Sequence, residues 1–219
     1  GDTHNKSQVS EDAEVVQKGY RDSGYVDASV TPQVILDREN KTTQVVHNID
    51  EQEVQYIRQV KVTGNEVTKD EVIRRNLLLQ PGERFDGGRL ELSRRGLDNL
   101  GYFDATRVSL DDVPGQPLYS DLLVSVEEGD TGNFNFGAGY NTEEGIGGFA
   151  ELQLNNFDPA NWPSFTGGGQ RFEARLDVGD TRNSYSLGWT NPEFLGYPLS
   201  AGFDIFNESY RVRGGADYE

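Results

Sequence analysis

Few side chains in this sequence have the types and spacing that covalent or metal-assisted chemistry requires. The two histidines, His4 and His47, are not spaced from acids or from each other as a catalytic triad or a metal site needs. Glu143 and Glu144 form a carboxylate pair, but in a predicted hairpin turn they are most simply a solvated tip. The chain has no cysteine, no Gly-x-Ser-x-Gly motif and no Gly-x-x-x-x-Gly-Lys phosphate loop. An enzyme is therefore the weakest functional class.

The segment Thr131–Tyr140 (TGNFNFGAGY) indicates a different chemistry, which is hydrogen bonding by the backbone of a strand. Its apolar residues fall at every second position, as on a strand with two different faces. One face carries Phe134, Phe136, Ala138 and Tyr140, and the other carries Asn135, Gly137 and Gly139. Because the second face is small or amide, its side chains hold the strand only weakly in place.

Composition and charge exclude two further classes. Of the 219 residues, 34% are hydrophobic and 26 are glycine, and no run approaches the ~18 apolar residues of a membrane-spanning helix. The formal net charge of −17 argues against nucleic acid, whose phosphates require clustered lysine and arginine. The first residue is glycine and no signal-peptide pattern follows it, so we expect a mature or internal piece.

An internal repeat organises the part of the chain before residue 129. Ser23–Ala28 (SGYVDA) is echoed 77 residues later by Leu100–Ala105 (LGYFDA), and Ile49–Glu51 is echoed by Val126–Glu128 at the same offset. Two blocks in one register indicate a duplication. The first copy lacks an opening strand and helix, which predicts that the parent protein extends upstream.

The second copy predicts the order strand, helix, helix, strand, strand over residues 58–128. Thr68–Glu71 has the form of a capping box before a helix that reaches Leu77. Asp86 is placed to cap the next helix, and Gly101 is placed to end it in the left-handed conformation. The strands are predicted at 59–63, 102–110 and 118–126. Such a unit buries one face of its sheet under two helices.

After Glu128 the helical periodicity stops, and five segments alternate apolar and polar residues at period two. These predicted strands, joined by hairpin links, cover residues 131–140, 146–155, 171–178, 185–190 and 199–206. Their apolar face could pack inside a soluble sandwich or barrel, or it could meet lipid while the polar face lines a wet lumen. The strand lengths and the aromatic residues near strand ends, such as Trp162 and Trp189, favour the membrane alternative.

An ordered series of motifs resembles one family, the BamA-type outer-membrane assembly factors. Its last POTRA domain is similar to these segments: KVTGN from Lys61, EVIRR from Glu71, PGERF from Pro81 and SRRGLDNLGYF from Ser93. Its first barrel strands are similar to these: VEE from Val126, TGNFNFGAGY from Thr131, NNF from Asn155 and TNP from Thr190. The chain departs from the family at Asp158–Gly169, which is longer than the usual glycine-rich turn and contains two prolines. The family's late barrel motif is absent, and Arg211–Gly214 lies in the wrong place to be counted as it.

The resemblance implies α+β POTRA units (βααββ) in the periplasm, followed by an antiparallel up-and-down β-barrel in the outer membrane that is incomplete in this chain. The implied domains are the end of a POTRA unit (1–57), a complete POTRA unit (58–128) and about five barrel strands (129–219). The implied function is the folding and insertion of outer-membrane β-barrel proteins, with no catalytic residue, cofactor, metal or nucleotide. Unfolded β-barrel proteins, accessory assembly lipoproteins and outer-membrane lipid are the implied partners.

Strand edges are the predicted sites, because an unpaired edge can take up a substrate strand by β-augmentation. The first barrel strand is expected to be a seam strand, with the template residues Asn133, Phe134, Asn135, Phe136, Gly137, Ala138, Gly139 and Tyr140. In the POTRA unit either late strand could be free, which gives the candidates Tyr102, Phe103, Ala105, Val108, Leu122 and Val124. The alternatives, that the seam strand only closes the barrel and that both POTRA strands are internal, stay open.

Two other functions also stay open. A two-partner secretion transporter has the same architecture but exports one dedicated passenger through its barrel. A soluble α+β binding module with a β-sandwich tail would instead bury the apolar faces of the last strands.

Overall fold

The structure is a computed structural model and describes residues 6–142 and 145–210. The first part of the chain contains α1 (Lys6–Asp22), β1 (Ser29–Asp37), β2 (Thr42–Asp50), β3 (Tyr56–Thr63), α2 (Asp70–Arg74), α3 (Gly87–Leu100), β4 (Phe103–Asp112) and β5 (Tyr119–Glu128). The second part contains β6 (Gly132–Asn141), β7 (Gly145–Phe157), β8 (Gln170–Gly179), β9 (Arg182–Asn191), a 3-10 turn (Phe194–Gly196) and β10 (Ala201–Tyr210). No helix within these two ranges is long and apolar enough to cross a membrane.

Within the described residues, the strands form three sheets. β1 pairs with β2, β3 and β4 lie on either side of β5, and β6 to β10 form a five-stranded sheet in chain order. β3 runs parallel to β5, whereas every pair in the five-stranded sheet is antiparallel. The predicted βααββ unit followed by an antiparallel meander is therefore confirmed, and the five strands form an open sheet.

The chain divides into two compact units. The first contains residues 1–63, 75–99 and 106–126, and the second contains residues 64–74, 100–105 and 127–219. The core of the first unit is apolar, and both α3 and the central strand β5 contribute to it. Its fully buried side chains include Ile57, Leu79, Phe85, Leu97, Leu122 and Val124.

Corresponding turns of the two repeat copies have similar backbone conformations. Gly24 and Gly101 have φ angles of 95° and 67°, in the left-handed region that favours glycine. The predicted cap of α3 is also confirmed, because the N–H of Arg89 donates to Oδ1 of Asp86 at 2.9 Å. These local features follow from residue type, and the turn at Gly101 and the cap at Asp86 were predicted from the sequence.

Buried Gln55 joins the two copies within the first unit. Its Nε2 donates to Oδ2 of Asp27, and its Oε1 accepts from Oγ of Ser120, both at 2.7 Å. Its backbone N–H donates to the carbonyl of Gly24 at 3.0 Å. The turn of the first copy is thereby fixed to the central strand of the second.

The helix α2 is shorter than predicted. It ends at Arg74, so Leu77 lies beyond it, although the Leu77 side chain is buried. The predicted capping box is wrong, because the hydroxyl of Thr68 bonds to Glu128 and Asn156. Partners that are distant in sequence have therefore replaced the local cap.

Asp121 of β5 is a buried carboxylate that three side chains of β3 hold in place. Arg58 donates to both of its oxygens, at 2.7 and 2.6 Å. Nε2 of Gln59 donates to Oδ2 at 2.8 Å, and Nζ of Lys61 lies 2.6 Å from the same atom. These contacts, the Arg58 guanidinium foremost, outweigh burial and hold the pKa of Asp121 well below its usual range.

We expect Asp121→Asn to lower the free energy of unfolding by about 2–3 kcal/mol, as hydrogen bonds to a charged group usually contribute. Because the folded state lowers the pKa, the carboxylate stabilises the fold above its unfolded pKa of about 4. This stabilisation is lost as the pH falls from that value through the folded pKa, and the variant should not show the loss. Urea unfolding of the full-length protein across this pH range measures both effects. Asp111→Asn is the control, because Asp111 is exposed and its carboxylate makes only a long contact with Nζ of Lys61, at 3.9 Å. An equal loss of stability in this control would contradict the prediction.

Candidate functional site

β6 is an edge strand of the five-stranded sheet. All ten of its residues pair with β7, from Gly132 opposite Leu154 to Asn141 opposite Gly145. No strand within residues 6–142 and 145–210 pairs with its other edge. The predicted template residues, 133–140, therefore lie in an outer strand of the described sheet.

The backbone groups at this free edge belong to alternate residues. The N–H of Asn155 donates to the carbonyl of Thr131 at 2.8 Å, so the odd-numbered residues of β6 direct their N–H and C=O groups at β7. The groups that point away from β7 are those of Gly132, Phe134, Phe136, Ala138 and Tyr140. An added strand would bond to the same residues whose side chains make up the apolar face.

One face of the sheet is apolar and exposed. The register aligns one apolar row across the five strands: Phe134, Leu152, Ala174, Leu187 and Ile205. At the free edge, Phe136 is 78% exposed. The structure gathers none of Phe172, Leu176, Leu187 and Phe203 into a protein interior, since all four are half-buried or exposed. This exposure is what a lipid-facing orientation requires.

The opposite face of β6 is covered by one aromatic ring. A Cβ atom on Gly137 would lie 2.7 Å from Cε1 of Phe149, so only glycine leaves room for the ring in this position. The Arg175 guanidinium lies over the ring, 4.9 Å from its centroid, and pairs with Glu151 and Asp177 at 2.8 Å each. The sequence analysis did not predict that Phe149 covers an edge glycine.

A buried polar cluster lies beside the start of β6. This Thr68 cluster consists of Thr68, Glu128 and Asn156, all within the second unit. The Glu128 carboxylate accepts from the Thr68 N–H at 2.7 Å and from its hydroxyl at 2.9 Å. Nδ2 of Asn156 donates to the same hydroxyl at 2.8 Å, and its Oδ1 accepts from the N–H of Gly169 at 2.7 Å. The cluster fixes the segment before α2 to the last residue of β5 and to the end of β7.

Neighbouring contacts strengthen this connection. Nζ of Lys69 lies 2.7 Å from Oδ2 of Asp158, an oxygen with no other hydrogen-bond partner in the described parts of the chain. The hydrogen bond to Asp158 raises the pKa of Lys69 above its ordinary value. The N–H of Lys69 donates to the carbonyl of Gly167 at 3.0 Å. Gly167 has a φ of 104°, and a Cβ there would lie 2.2 Å from the Val67 carbonyl oxygen, so the approach requires glycine.

Sequence reasoning missed the Thr68 cluster. Asn155–Phe157 carried part of the family resemblance, but nothing in its spacing indicates a partner 88 residues away. The signal that could have found it is the pair of asparagines at the end of a strand, where a buried amide needs partners for both its donor and its acceptor.

The POTRA edge candidates divide between two strands. Phe103, Ala105 and Val108 lie in β4, which is an edge strand of its sheet, and Tyr102 directly precedes it. Leu122 and Val124 are fully buried in β5, the central strand, so their selection as edge residues was wrong. The reason is that β3 pairs with β5 in parallel and occupies its second edge. β3, which was not among the candidates, is the other edge strand.

Of the remaining residues singled out for chemistry, His47 lies within the described residues. His47 lies half-buried in β2, opposite Pro32 of β1. His4, the pair Glu143 and Glu144, and the segment Arg211–Gly214 lie outside the described residues.

Family comparisons agree with this geometry. Residues 1–52 and 55–129, more than half of the chain, match POTRA, the surface antigen variable number repeat. Residues 164–219 match the Omp85 superfamily domain. The chain is 28% identical over 215 residues to the outer membrane protein assembly factor BamA of Neisseria meningitidis serogroup B. The chain is a BamA-type member of the Omp85 superfamily. Its POTRA part is periplasmic, and the strands that follow belong to the outer membrane.

Structural comparison supports the BamA-type assignment. The crystal structure of BamA from Haemophilus ducreyi lacking POTRA domains 1–3 has a TM-score of 0.82 and 26% identity, covering 96% of this chain and 38% of that one. CdiB from Acinetobacter baumannii, with a TM-score of 0.51, 15% identity and coverage of 95% of this chain and 37% of that one, shares the fold alone.

The chain spans only part of its curated relatives. The region that matches the Neisseria BamA is 97% of this chain but 26% of that protein. A putative outer membrane protein assembly factor of Treponema pallidum is 31% identical over 186 residues, which are 85% of this chain and 22% of that protein.

Proposed function

We propose that the protein folds β-barrel proteins and inserts them into the outer membrane, with the free edge of β6 as the template for an incoming strand. The observation that carries the proposal is the place of β6 as the first strand after the POTRA unit and the outer strand of the described sheet. The backbone groups of five of its residues, Gly132 to Tyr140 at every second position, point away from β7. Membership of the BamA-type proteins supports the same function.

The mechanism follows from the properties of hydrocarbon. Every backbone N–H and C=O in the membrane needs a partner, so an unpaired edge there favours pairing with any strand that arrives. A substrate strand that adds to β6 satisfies its own groups and those of β6 at once. The glycines and asparagines on the polar face leave space beside the edge, where only the Phe149 ring covers Gly137.

The POTRA units are proposed to supply a second edge. Within the repeat, β4 with Phe103, Ala105 and Val108 has one edge free of strand partners in the described sheet. The outer edge of β3 is partly occupied, because Ile57 bonds there to Gly82 and Glu83. An unfolded substrate segment could add to the β4 edge by the same backbone pairing before it reaches the membrane. We assign this role to the unit at 58–128, between the partial unit at 1–57 and the strands from 129 onward.

The proposal needs no covalent step. We therefore assign no catalytic residue, metal, nucleotide or other cofactor, and the energy comes from satisfying backbone groups and burying apolar side chains. Unfolded β-barrel proteins are the proposed substrates, and outer-membrane lipid and accessory lipoproteins are the proposed partners.

Disulfide trapping tests the template. The chain contains no cysteine, so Ala138→Cys introduces a single thiol at the free edge of β6, in a full-length background with no other cysteine. A stalled substrate with one cysteine in its terminal strand should form a mixed disulfide with this variant, because paired strands bring Cβ atoms within disulfide distance.

Ala174→Cys is the matched control for this experiment. Ala174 is an alanine of the same apolar face, but β8 is paired on both sides, with β7 and with β9. We expect trapping at position 138 and little at position 174. Equal trapping at the two positions would show random encounter and would overturn the proposed template.

A further inference from the structure

A row of aromatic rings leads from the apolar face of the five-stranded sheet into the β7–β8 loop, residues 158–169. Phe157, at the end of β7, stacks on Phe172 of β8 with a centroid distance of 5.1 Å. It also stacks on Phe165 of the loop, at 6.1 Å, and Phe165 meets Trp162 edge-on at 5.1 Å. The apolar face therefore continues beyond the last paired residues of the strands, and it ends at Trp162.

The loop holds Trp162 in a defined position and leaves it 77% exposed. The N–H of Phe165 donates to the carbonyl of Asn161 at 2.6 Å, and Nδ2 of Asn161 donates to the carbonyl of Thr166 at 2.7 Å. The N–H of Gly167 donates to the carbonyl of Asn156 at 2.7 Å. Because this exposed indole continues the apolar face of the sheet through Phe165 and Phe157, it belongs to a contiguous apolar surface of the kind that marks an interaction site.

The two loops at this end of the sheet contain few charged residues. Asp158 is the only charged residue of the β7–β8 loop, and it pairs with Lys69. Because the strands alternate in direction, the β9–β10 loop, residues 192–200, lies at the same end. It has one charged residue and exposes four large apolar side chains: Phe194, Leu195, Tyr197 and Leu199.

We propose that Trp162 binds at the headgroup–acyl boundary of the phospholipid leaflet on the periplasmic side and fixes the depth of the β7–β8 hairpin. β6 begins at this end of the sheet directly after the POTRA unit, so the end faces the periplasm. Lipid is the favoured partner because the exposed row is continuous with the apolar sheet face and lacks unpaired charge. Tryptophan suits this boundary, since its ring is apolar and its N–H is polar. The inference depends on the proposed function only in that the strands lie in the membrane.

Fluorescence of single tryptophans tests the inference. The chain has two tryptophans, Trp162 and Trp189, so Trp189→Phe and Trp162→Phe each leave one of them. The full-length protein, with any other tryptophan replaced by phenylalanine, is reconstituted into phosphatidylcholine vesicles. Lipids brominated near the headgroup or near the chain ends, and aqueous iodide, then quench each residue according to its depth. Trp189 is the internal control, because it lies on the apolar sheet face opposite Phe172.

We expect Trp162 to be quenched more by the shallow bromines than by the deep ones, with an emission maximum to the blue of that in water. Quenching of Trp189 by lipid, with Trp162 quenched only by iodide, would overturn the inference and leave the membrane placement intact. Quenching of Trp162 by neither lipid nor iodide would indicate a protein partner and would also overturn it. Stronger quenching by the deep bromines would exclude the boundary. If neither tryptophan is quenched by lipid, the proposed membrane function itself fails.

Discussion

Ala138→Pro is expected to lower the rate at which the full-length protein assembles a β-barrel substrate by about 10- to 100-fold. Ala138 is one of the β6 residues whose N–H points away from β7, so proline removes one donor from the free edge. The matching carbonyl of an incoming strand then has no partner in hydrocarbon, where an unsatisfied backbone group is costly. We therefore expect the step in which the substrate strand pairs with β6 to become slower.

The sheet itself should survive this substitution. Proline is tolerated on an edge strand where the missing N–H faces away from the sheet, and the neighbours Gly137 and Gly139 keep their bonds to β7. The resistance of the variant's own barrel to heating in detergent checks this point. The assembly rate is measured from the appearance of folded, heat-resistant substrate in vesicles that contain the protein.

Ala138→Val is the control for the lost N–H. Valine keeps the donor and the strand conformation while changing the side chain more than proline does, so the rate should stay close to that of the unmodified protein. If valine and proline slow assembly equally, the side chain matters and the backbone donor does not. A fully active proline variant would exclude the proposed template.

Asn156→Ala is expected to speed amide hydrogen exchange in segments 64–70 and 164–170 by about 10- to 100-fold, since it removes buried hydrogen bonds worth about 1–3 kcal/mol. The Asn156 side chain is 1% exposed, and it donates to the Thr68 hydroxyl and accepts from the Gly169 N–H. Without it, the segment before α2 loses a contact to the end of β7. Exchange measured by mass spectrometry on the full-length protein in detergent reports both segments.

Asn155→Ala is the matched control for this prediction. Asn155 has the same side chain one position earlier, is only half-buried, and bonds to Thr131 through its backbone, which alanine keeps. Exchange should be nearly unchanged in this variant. Thr68→Val should resemble Asn156→Ala, and the double variant should add little, because both remove one shared contact. Fully additive effects would contradict the Thr68 cluster as a unit.

Much of the fold is local in origin, and the sequence alone determined it. Strand positions after Glu128 follow from a period of two, which each strand carries in its own residues. Gly101 and Asp86 likewise act within a few residues of themselves, at a left-handed turn and at a helix start. The place of β6 at one end of the described sheet also follows from the sequence, because the first strand of a meander has no earlier strand beside it.

Only the tertiary structure decided which residues meet across long stretches of chain. β4 and β5 have similar alternation, yet β5 is central because β3 pairs with it in parallel, and this buries Leu122 and Val124. Thr68 matched a local capping pattern, but its hydroxyl is hydrogen-bonded to Glu128 and Asn156, which are 60 and 88 residues away. Local periodicity fixes which way a side chain points on its own element, whereas its partner depends on which elements are brought together. That choice is made by the summed burial and hydrogen bonding of the whole unit, which no short segment encodes.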